Sequence, residues 1–291
     1  MEKQFISNNY IKTNYHTHSI FCDGKDSFED IIETAINRDI KILGFSSHSV
    51  YPHTLESNMN PQDFETYCKN IEFLKLKYAD KINILCGFEA DFIPNFCRPD
   101  FFAYRKFTPD FLIGSIHFLY NGEADITKIL AIDHTPQILL DGLKNLYHDN
   151  VKELIGHYFS TQRQMLEECN FSIIGHPDLI RKFNDKIHFF DESETWYKNE
   201  LKTTAKAIKK ADVIAEINTG AISRGYLKSP YPSEYFLTLL KQENVPIMIN
   251  SDAHSAEYID SNFDKALQLA KKVGYTELAI PEKQNKKFIK I

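Results

Sequence analysis

The chain has 291 residues, 43% hydrophobic and 25% charged, an ordinary balance for a folded globular protein. Its 34 Lys and Arg stand against 40 Asp and Glu, a formal net charge of -6, and the positive residues are scattered rather than gathered into a strip that would hold a nucleic-acid backbone. No apolar run approaches the roughly 20 residues needed to cross a bilayer. The N-terminal MEKQFISNNYIKTNYHTHS has no leader-like apolar core, and five cysteines without a CxxC read as free thiols, so a cytoplasmic protein is expected.

Short β-branched or aromatic runs alternate along the chain with longer segments of helical period. A strand is expected over Ile11–His16, then a helix opened by Ser27 and Asp30 as a capping pair, with Ile31, Ile32, Ala35 and Ile36 on its apolar face. A second strand, Ile42–Ser46, precedes a helix in which Asn60–Pro61 supplies N-cap and first position and Phe64, Tyr67, Ile71, Leu74 and Tyr78 keep the i, i+3, i+4 pattern. Strands are expected next over Asn83–Glu89 and Phe111–Ile116, then helices over roughly 136–147 and 151–168 and a strand over Phe171–Gly175. A helix at 193–211, the strand Val213–Asn218, a helix at 233–242, the strand Val245–Asn250 and a helix at 262–273 complete the series. Such repeated alternation predicts a parallel sheet, and without a linker or internal repeat one domain spanning 1–291 is the simpler organisation.

The residues just past the end of each strand are more informative. The first strand delivers His16 and His18, with Asp23 in the next loop; alternate positions of an extended segment share one side. The later strands deliver His48, Glu89, His117, His176 and Asn218, and the last delivers Asp252 and His254. In a barrel of parallel strands the carboxyl ends open on one face, where active sites are assembled. Nine His, Asp and Glu side chains converging there exceed what one ion needs, since zinc takes about four ligands. Two or three ions are expected, with a carboxylate bridging at least one pair, and a donor set without cysteine suits Zn, Mn, Fe or Co.

Single strand-end histidines are ordinarily packing or hydrogen-bonding residues; recurrence on six of seven strands makes that reading poor here. The irregularly placed His53, His134, His148, His157 and His188 are expected at the surface or in packing, with His53 a lesser candidate for a pocket. Cys22, beside the site, is expected to be filler.

Taken in order, "HTHS", "SSH", "GFE", "SIH", "GHPD" and "SDAH" resemble the PHP (polymerase and histidinol phosphatase) phosphoesterases, over residues 16 to 254. Within that family "GSIH", "GHPDLI" and "EINT" are most similar to the histidinol-phosphate phosphatases of histidine biosynthesis. The resemblance implies an α/β fold, a distorted (β/α)7 barrel, and a trinuclear centre of divalent transition-metal ions. It implies His16, His18, Glu89 and Asp252 at the first ion, Glu89, His117 and His176 at the second, and Asp23, His48 and His254 at the third.

Phosphate-monoester hydrolysis is among the slowest uncatalysed reactions, and metal ions can both activate water and clamp the phosphoryl oxygens. Attack is expected at the Glu89 end of the site without a covalent intermediate, since no Ser, Cys or Asp stands in a nucleophile motif. Asp252, or water at the third ion, can serve the leaving group. A phosphate dianion suits the fork of an arginine. Arg224, in a Gly-containing loop after the sixth strand, and by resemblance Arg163 are the candidates, although Arg163 also suits an i,i+4 pair with Glu167. Ser223 and Tyr231 are further pocket candidates, and Lys206–Lys210 reads as a solvated helix face. The expected partner is a small phosphate monoester, L-histidinol phosphate first, with no nucleic acid or membrane, acting as a monomer or small homo-oligomer. Another PHP phosphoesterase activity, on a nucleotide, an oligonucleotide end or a different small phosphate ester, and a non-catalytic metal-binding role are the competing readings.

Overall fold

The structure, a computed structural model, describes residues 10–120, 122, 129–282 and 286–291. Most of the segment read for a leader, residues 1–9, lies outside the described residues. In chain order the strands are β1 (Thr13–Asn14), β2 (Ile42–Phe45), β3 (His48–Ser49), β4 (Asn83–Asp91), β5 (Phe111–Ser115) and β6 (Phe118–Leu119). They continue as β7 (Leu130–Ala131), β8 (Ile173–Ile174), β9 (Ile214–Asn218), β10 (Ile247–Asn250), β11 (Glu277–Pro281) and β12 (Lys286–Lys290). The helices are α1 (Phe28–Asn37), α2 (Phe64–Lys77), α3 (Pro136–Tyr147), α4 (Val151–Glu168), α5 (Asn184–Ile187), α6 (Thr195–Ala211), α7 (Gly220–Ser223), α8 (Glu234–Gln242) and α9 (Phe263–Val273).

Seven strands run in parallel in the order β1-β2-β4-β5-β8-β9-β10, with β3 prolonging the β2 side by pairing His48 with Glu89. Beyond the carboxyl ends of β1 and β10, Thr17 bridges Ala253 and the His18 amide donates to the Ala253 carbonyl at 2.9 Å. That contact brings the sheet round into a nearly closed barrel, the distorted (β/α)7 architecture that the family resemblance implies.

Strand alternation divides the apolar side chains between two cores. Leu112, Ile174, Ala215, Ile217, Ile247 and Ile249 face out and pack with the helices. Tyr15, Phe111, Ile113, Ile173, Ile214 and Met248 form a separate cluster inside the barrel. The Phe111 ring fills the middle of that cluster because Gly44 and Gly87 leave room. A Cβ at those positions would come within 2.6 and 2.5 Å of the ring. Ala279 and Ile280 of β11 join the interior cluster, so the antiparallel β11–β12 hairpin covers the amino-terminal end of the barrel. This hairpin is absent from the sequence expectations, since lysines interrupt the apolar pattern of its second strand.

Local rules account for the helix starts. Ser27 caps α1 by accepting from the Asp30 amide at 3.2 Å, and Thr135 and Ser233 cap α3 and α8 likewise. The expected Asn60–Pro61 start of α2 is corrected. Asn60 accepts from the Gln62 amide in a turn, and the helix begins three residues after Pro61, at Phe64. Among the described residues no helix is long and apolar enough to cross a membrane.

Candidate metal centre

Along the inward positions of the strands the barrel changes character. In β5, Phe111 and Ile113 give way to Ser115; in β9, Ile214 gives way to Glu216 and Asn218; in β10, Met248 gives way to Asn250. Apolar packing thus fills the amino-terminal half, and polar groups occupy the carboxyl end. Glu89, fully buried near the end of β4, stands at the centre of this polar layer, and Ser115 Oγ donates to its Oε1 at 2.7 Å.

The other eight side chains expected from the strand ends gather around this carboxylate. His16 Nε2 lies 3.0 Å from Glu89 Oε2, His18 Nε2 3.5 Å and His48 Nδ1 2.9 Å. On the other oxygen, His176 Nε2 lies 2.8 Å from Oε1 and His117 Nε2 3.4 Å. Asp252 Oδ1 is 3.1 Å from His18 Nε2 and 3.7 Å from His16 Nε2. Asp23 joins from its loop, 3.3 Å from His254 Nε2, 3.8 Å from His48 Nε2 and 4.0 Å from His18 Nδ1. Donor atoms within 4.8 Å of one another fall into overlapping sets: His16, His18 and Asp252; His16, Glu89 and His176; His48, Glu89 and His117; and His18, Asp23, His48 and His254. Two of these four sets contain Glu89. Asp252 holds a left-handed φ of 51° that a non-glycine residue rarely adopts, which marks a backbone constrained at the site.

The electrostatics are those of dense alternating charge. Burial alone would raise the Glu89 carboxyl, but His16, His48 and His117 hold it well below the usual carboxylate range. Burial likewise opposes ionisation of Asp252, yet Arg224 and His16 keep it far down. Burial would lower His16 and His48; Glu216 and Glu89 push the first well up, and Glu89 and Asp23 the second. His117 is raised to about 9, with Asp91 and Glu89 outweighing burial. His18 goes the other way, lowered by burial and by the neighbouring His254 and His48.

These residues fit a group of cations. Among the described residues, His16 Nε2, His48 Nδ1 and Glu89 Oε2 are buried without a hydrogen-bond partner, although the two nitrogens lie close to that oxygen. Buried polar atoms left this way cost about 1–3 kcal/mol each, a cost that a shared cation removes. The His, Asp and Glu donor set, without cysteine, suits divalent metals.

Two carboxylates that the sequence reading did not select hold the histidines in place. Glu216 Oε2 takes His16 Nδ1 at 2.9 Å, and its Oε1 accepts from the His176 amide at 2.8 Å. Asp91 Oδ1 meets both the ring Nδ1 and the amide of His117, at 3.0 and 3.1 Å. Outer carboxylates of this kind fix the tautomer and ring orientation of ligating histidines. Their signal was available: Glu216 lies two residues before Asn218, and Asp91 two after Glu89, on the same strand faces.

The cluster opens into a cavity of about 470 Å³. Arg224 lines it at the C-cap of the single turn α7, rather than in an open loop as expected. Its guanidinium donates to the Asp252 carbonyl and to Asp252 Oδ2, both at 2.8 Å, and approaches His254 Nδ1 at 3.1 Å. Gly220 permits this approach, since a Cβ there would come within 2.7 Å of the guanidinium and 2.9 Å of Asp252.

Arg163 is a correction. It lies between α4 and α6, donating to Glu200 at 2.7 Å and Thr204 at 3.0 Å, and is not among the residues lining the cavity. The alternative i,i+4 pair with Glu167 does not form either; the partner comes from the neighbouring helix. His53 is exposed, with its ring beside Phe96 and outside the cavity wall. His134, expected at the surface or in packing, is exposed but lines the cavity. His157 packs as expected, its Nδ1 2.7 Å from Tyr147 Oη. Ser223 and Tyr231 do not line the cavity, and Tyr231 is fully buried behind His176. Cys22 Sγ sits 3.6 Å from His18 Nδ1, beside the cluster.

Comparison with known proteins decides the family. The PHP domain model matches residues 14–220, which hold seven of the nine clustered side chains. The chain belongs to the PHP domain family. It is similar to a probable histidinol-phosphatase of Schizosaccharomyces pombe, 27% identical over 92% of this chain and 89% of that one. A candidate histidinol phosphatase from Listeria monocytogenes shares the fold with a TM-score of 0.75 at 22% identity, covering 87% of this chain and 99% of that one. The histidinol phosphate phosphatase of Lactococcus lactis, solved with zinc, L-histidinol and phosphate, matches with a TM-score of 0.70 at 20% identity, over 95% of this chain and 98% of that one.

Proposed function

We propose that this PHP chain, acting as one unit over residues 1–291 in the cytoplasm, is a metal-dependent phosphoric monoester hydrolase whose substrate is L-histidinol phosphate. The observation that carries the reading is the clustering of nine donor side chains, Glu89 among them, at the mouth of a cavity whose wall includes Arg224. The names of its relatives, and the histidinol and phosphate held by the Lactococcus lactis neighbour, support the choice of substrate.

Three divalent ions account for the donors. His16, His18, Glu89 and Asp252 would hold one, Glu89, His117 and His176 a second, and Asp23, His48 and His254 a third. Such ions supply activated water and neutralise the charge that develops on the phosphoryl oxygens. The chain's own groups do the rest. Glu89 gives one oxygen to each side of its cluster and so fixes the spacing of two donor sets. Arg224 has five N–H donors, and those not spent on Asp252 are available to orient phosphate oxygens. Asp252, braced by the Arg224 guanidinium on its Oδ2, or water at the third site would serve the departing alkoxide.

The test is turnover on a panel of small phosphate monoesters, with metal content measured on the same sample. L-histidinol phosphate should exceed p-nitrophenyl phosphate and simple sugar phosphates by at least about 10²-fold in kcat/KM, which is roughly 2.7 kcal/mol of differential transition-state binding. A nucleotide as the better substrate would overturn the histidinol reading and leave the metallophosphatase reading intact.

A further inference from the structure

The cavity is larger than a phosphate group requires, and its wall carries a carboxylate outside the donor cluster. Among the described residues five carboxylates line it: Asp23, Glu56, Asp91, Asp133 and Asp252. Asp23 and Asp252 belong to the cluster, and Asp91 gives Oδ1 to His117 while its Oδ2 is buried rather than open to the cavity. Glu56 sits exposed on a loop. Among these, Asp133, between β7 and α3, is both open to the cavity and held in place. Lys182 Nζ, from the segment after β8, donates to the Asp133 carbonyl at 2.7 Å and to its Oδ2 at 3.0 Å. The lysine is itself confined, 9% exposed, with its ammonium 4.9 Å from the Tyr226 ring centre.

Lys182 does not exhaust Asp133. One of its two contacts goes to the backbone carbonyl, and a carboxylate offers about four acceptor positions. Asp133 lines the same cavity as His117 and His176, two side chains of the donor cluster. In L-histidinol phosphate the protonated amine is carried on the second carbon from the ester oxygen, so its receptor must stand close to the cluster. Burying an ammonium requires a charged, hydrogen-bonded partner.

We propose that Asp133, anchored by Lys182, receives the substrate's ammonium group and so selects amino-alcohol phosphates. This rests on the histidinol reading and adds to it a specificity-determining residue. The pair of L-histidinol phosphate and its desamino analogue, imidazolyl-propanol phosphate, tests it directly, because the two esters differ only in the amine.

In the metal-loaded wild type, the ratio of kcat/KM values for these two esters should favour the amine by at least about 10²-fold, as expected where the desamino ester leaves the receiving carboxylate oxygen without its donor. In Asp133→Asn, and in Asp133→Ala as a second variant, that ratio should collapse at least tenfold. The loss should lie mainly in KM for the amine-bearing ester. A wild-type ratio near one overturns the proposal without any variant. So does a ratio that either variant leaves within about threefold of wild type, the outcome of a purely structural Asp133–Lys182 clasp. Failure of the histidinol reading looks different: wild-type enzyme would then not prefer L-histidinol phosphate to p-nitrophenyl phosphate at all.

Discussion

His16 Nδ1 lies 2.9 Å from Glu216 Oε2, so the outer nitrogen of a histidine in the donor cluster is taken by a fully buried carboxylate. The same carboxylate accepts from Asn250 Nδ2 on Oε2, and from the His176 amide and Asn218 Nδ2 on Oε1, each at 2.8 Å. Both ends of Glu216 therefore face donors. Glutamine cannot serve there, since its amide nitrogen would face N–H groups at one end. Glu216→Gln should weaken metal binding by roughly 10–100-fold, the usual cost of losing the partner behind a ligating histidine. Metal titration of the purified variant checks this, and affinity equal to wild type would show that Glu216 does not support the site.

Glu89 stands between donor sets, with His48, His16 and His18 near one oxygen and His176 and His117 near the other. Glu89→Gln keeps the size but removes a charge shared by two sets, so two ions should bind poorly and turnover should collapse. His53→Gln, at an exposed position outside the cavity, should leave metal content at the wild-type value. Elemental analysis of both variants decides the matter; identical metal loss in the two would sink the ligand assignment.

Stoichiometry is a separate test. Elemental analysis at saturating metal should give more than one divalent ion per chain, approaching three. Chelation should abolish activity and lower Tm, because ions that bind only the folded chain stabilise it, by about 4 kcal/mol per site at a thousandfold excess over Kd. A cysteine-directed reagent should not abolish activity, since no cysteine belongs to any of the four donor sets. Full activity with a single equivalent of metal would refute the three-ion centre.

The parallel sheet and the side chains clustered at its carboxyl ends were legible because both depend on local, periodic signals, while closure into a barrel was legible only through the family resemblance. Strand alternation set Phe111 and Ile113 inside the barrel and Leu112 outside. The carboxyl ends of strands can be found from that pattern, and His, Asp and Glu placed there share a face whatever the details of closure. Features set by partners distant in sequence were not legible. Arg163 reads from its own helix as a pair with Glu167, but α6 brings Glu200 and Thr204 against it, and no local rule names that neighbour. The Asp133–Lys182 pair joins residues 49 positions apart that only the barrel brings together. Glu216 escaped for another reason: it lies inside the expected strand Val213–Asn218, short of the strand end where donors were sought, and only the facing His16 gives it a role.

Arg224 and Arg163 make a contrast that tests the phosphate assignment. Arg224 lines the cavity, is 28% exposed and is braced by Asp252, with donors left over for a phosphate. Its removal takes away a contact common to every phosphate ester, so Arg224→Ala should lower kcat/KM for all of them together, by about 10²-fold for a charge-assisted pair of roughly 2.7 kcal/mol. Arg224→Lys should recover part of this, since it restores the charge but not the planar fork. Because Asp252 loses its partner as well, metal content must be measured on the same samples. A loss of activity that tracks loss of metal, and disappears when metal is restored, would assign Arg224 to holding Asp252 rather than phosphate. Arg163→Ala should leave kcat/KM for every ester within about twofold, and cost no more than about 1 kcal/mol of stability, because its partner Glu200 is itself partly exposed. A large and ester-independent fall in the Arg163 variant, with Arg224→Ala unaffected, would reverse the assignment.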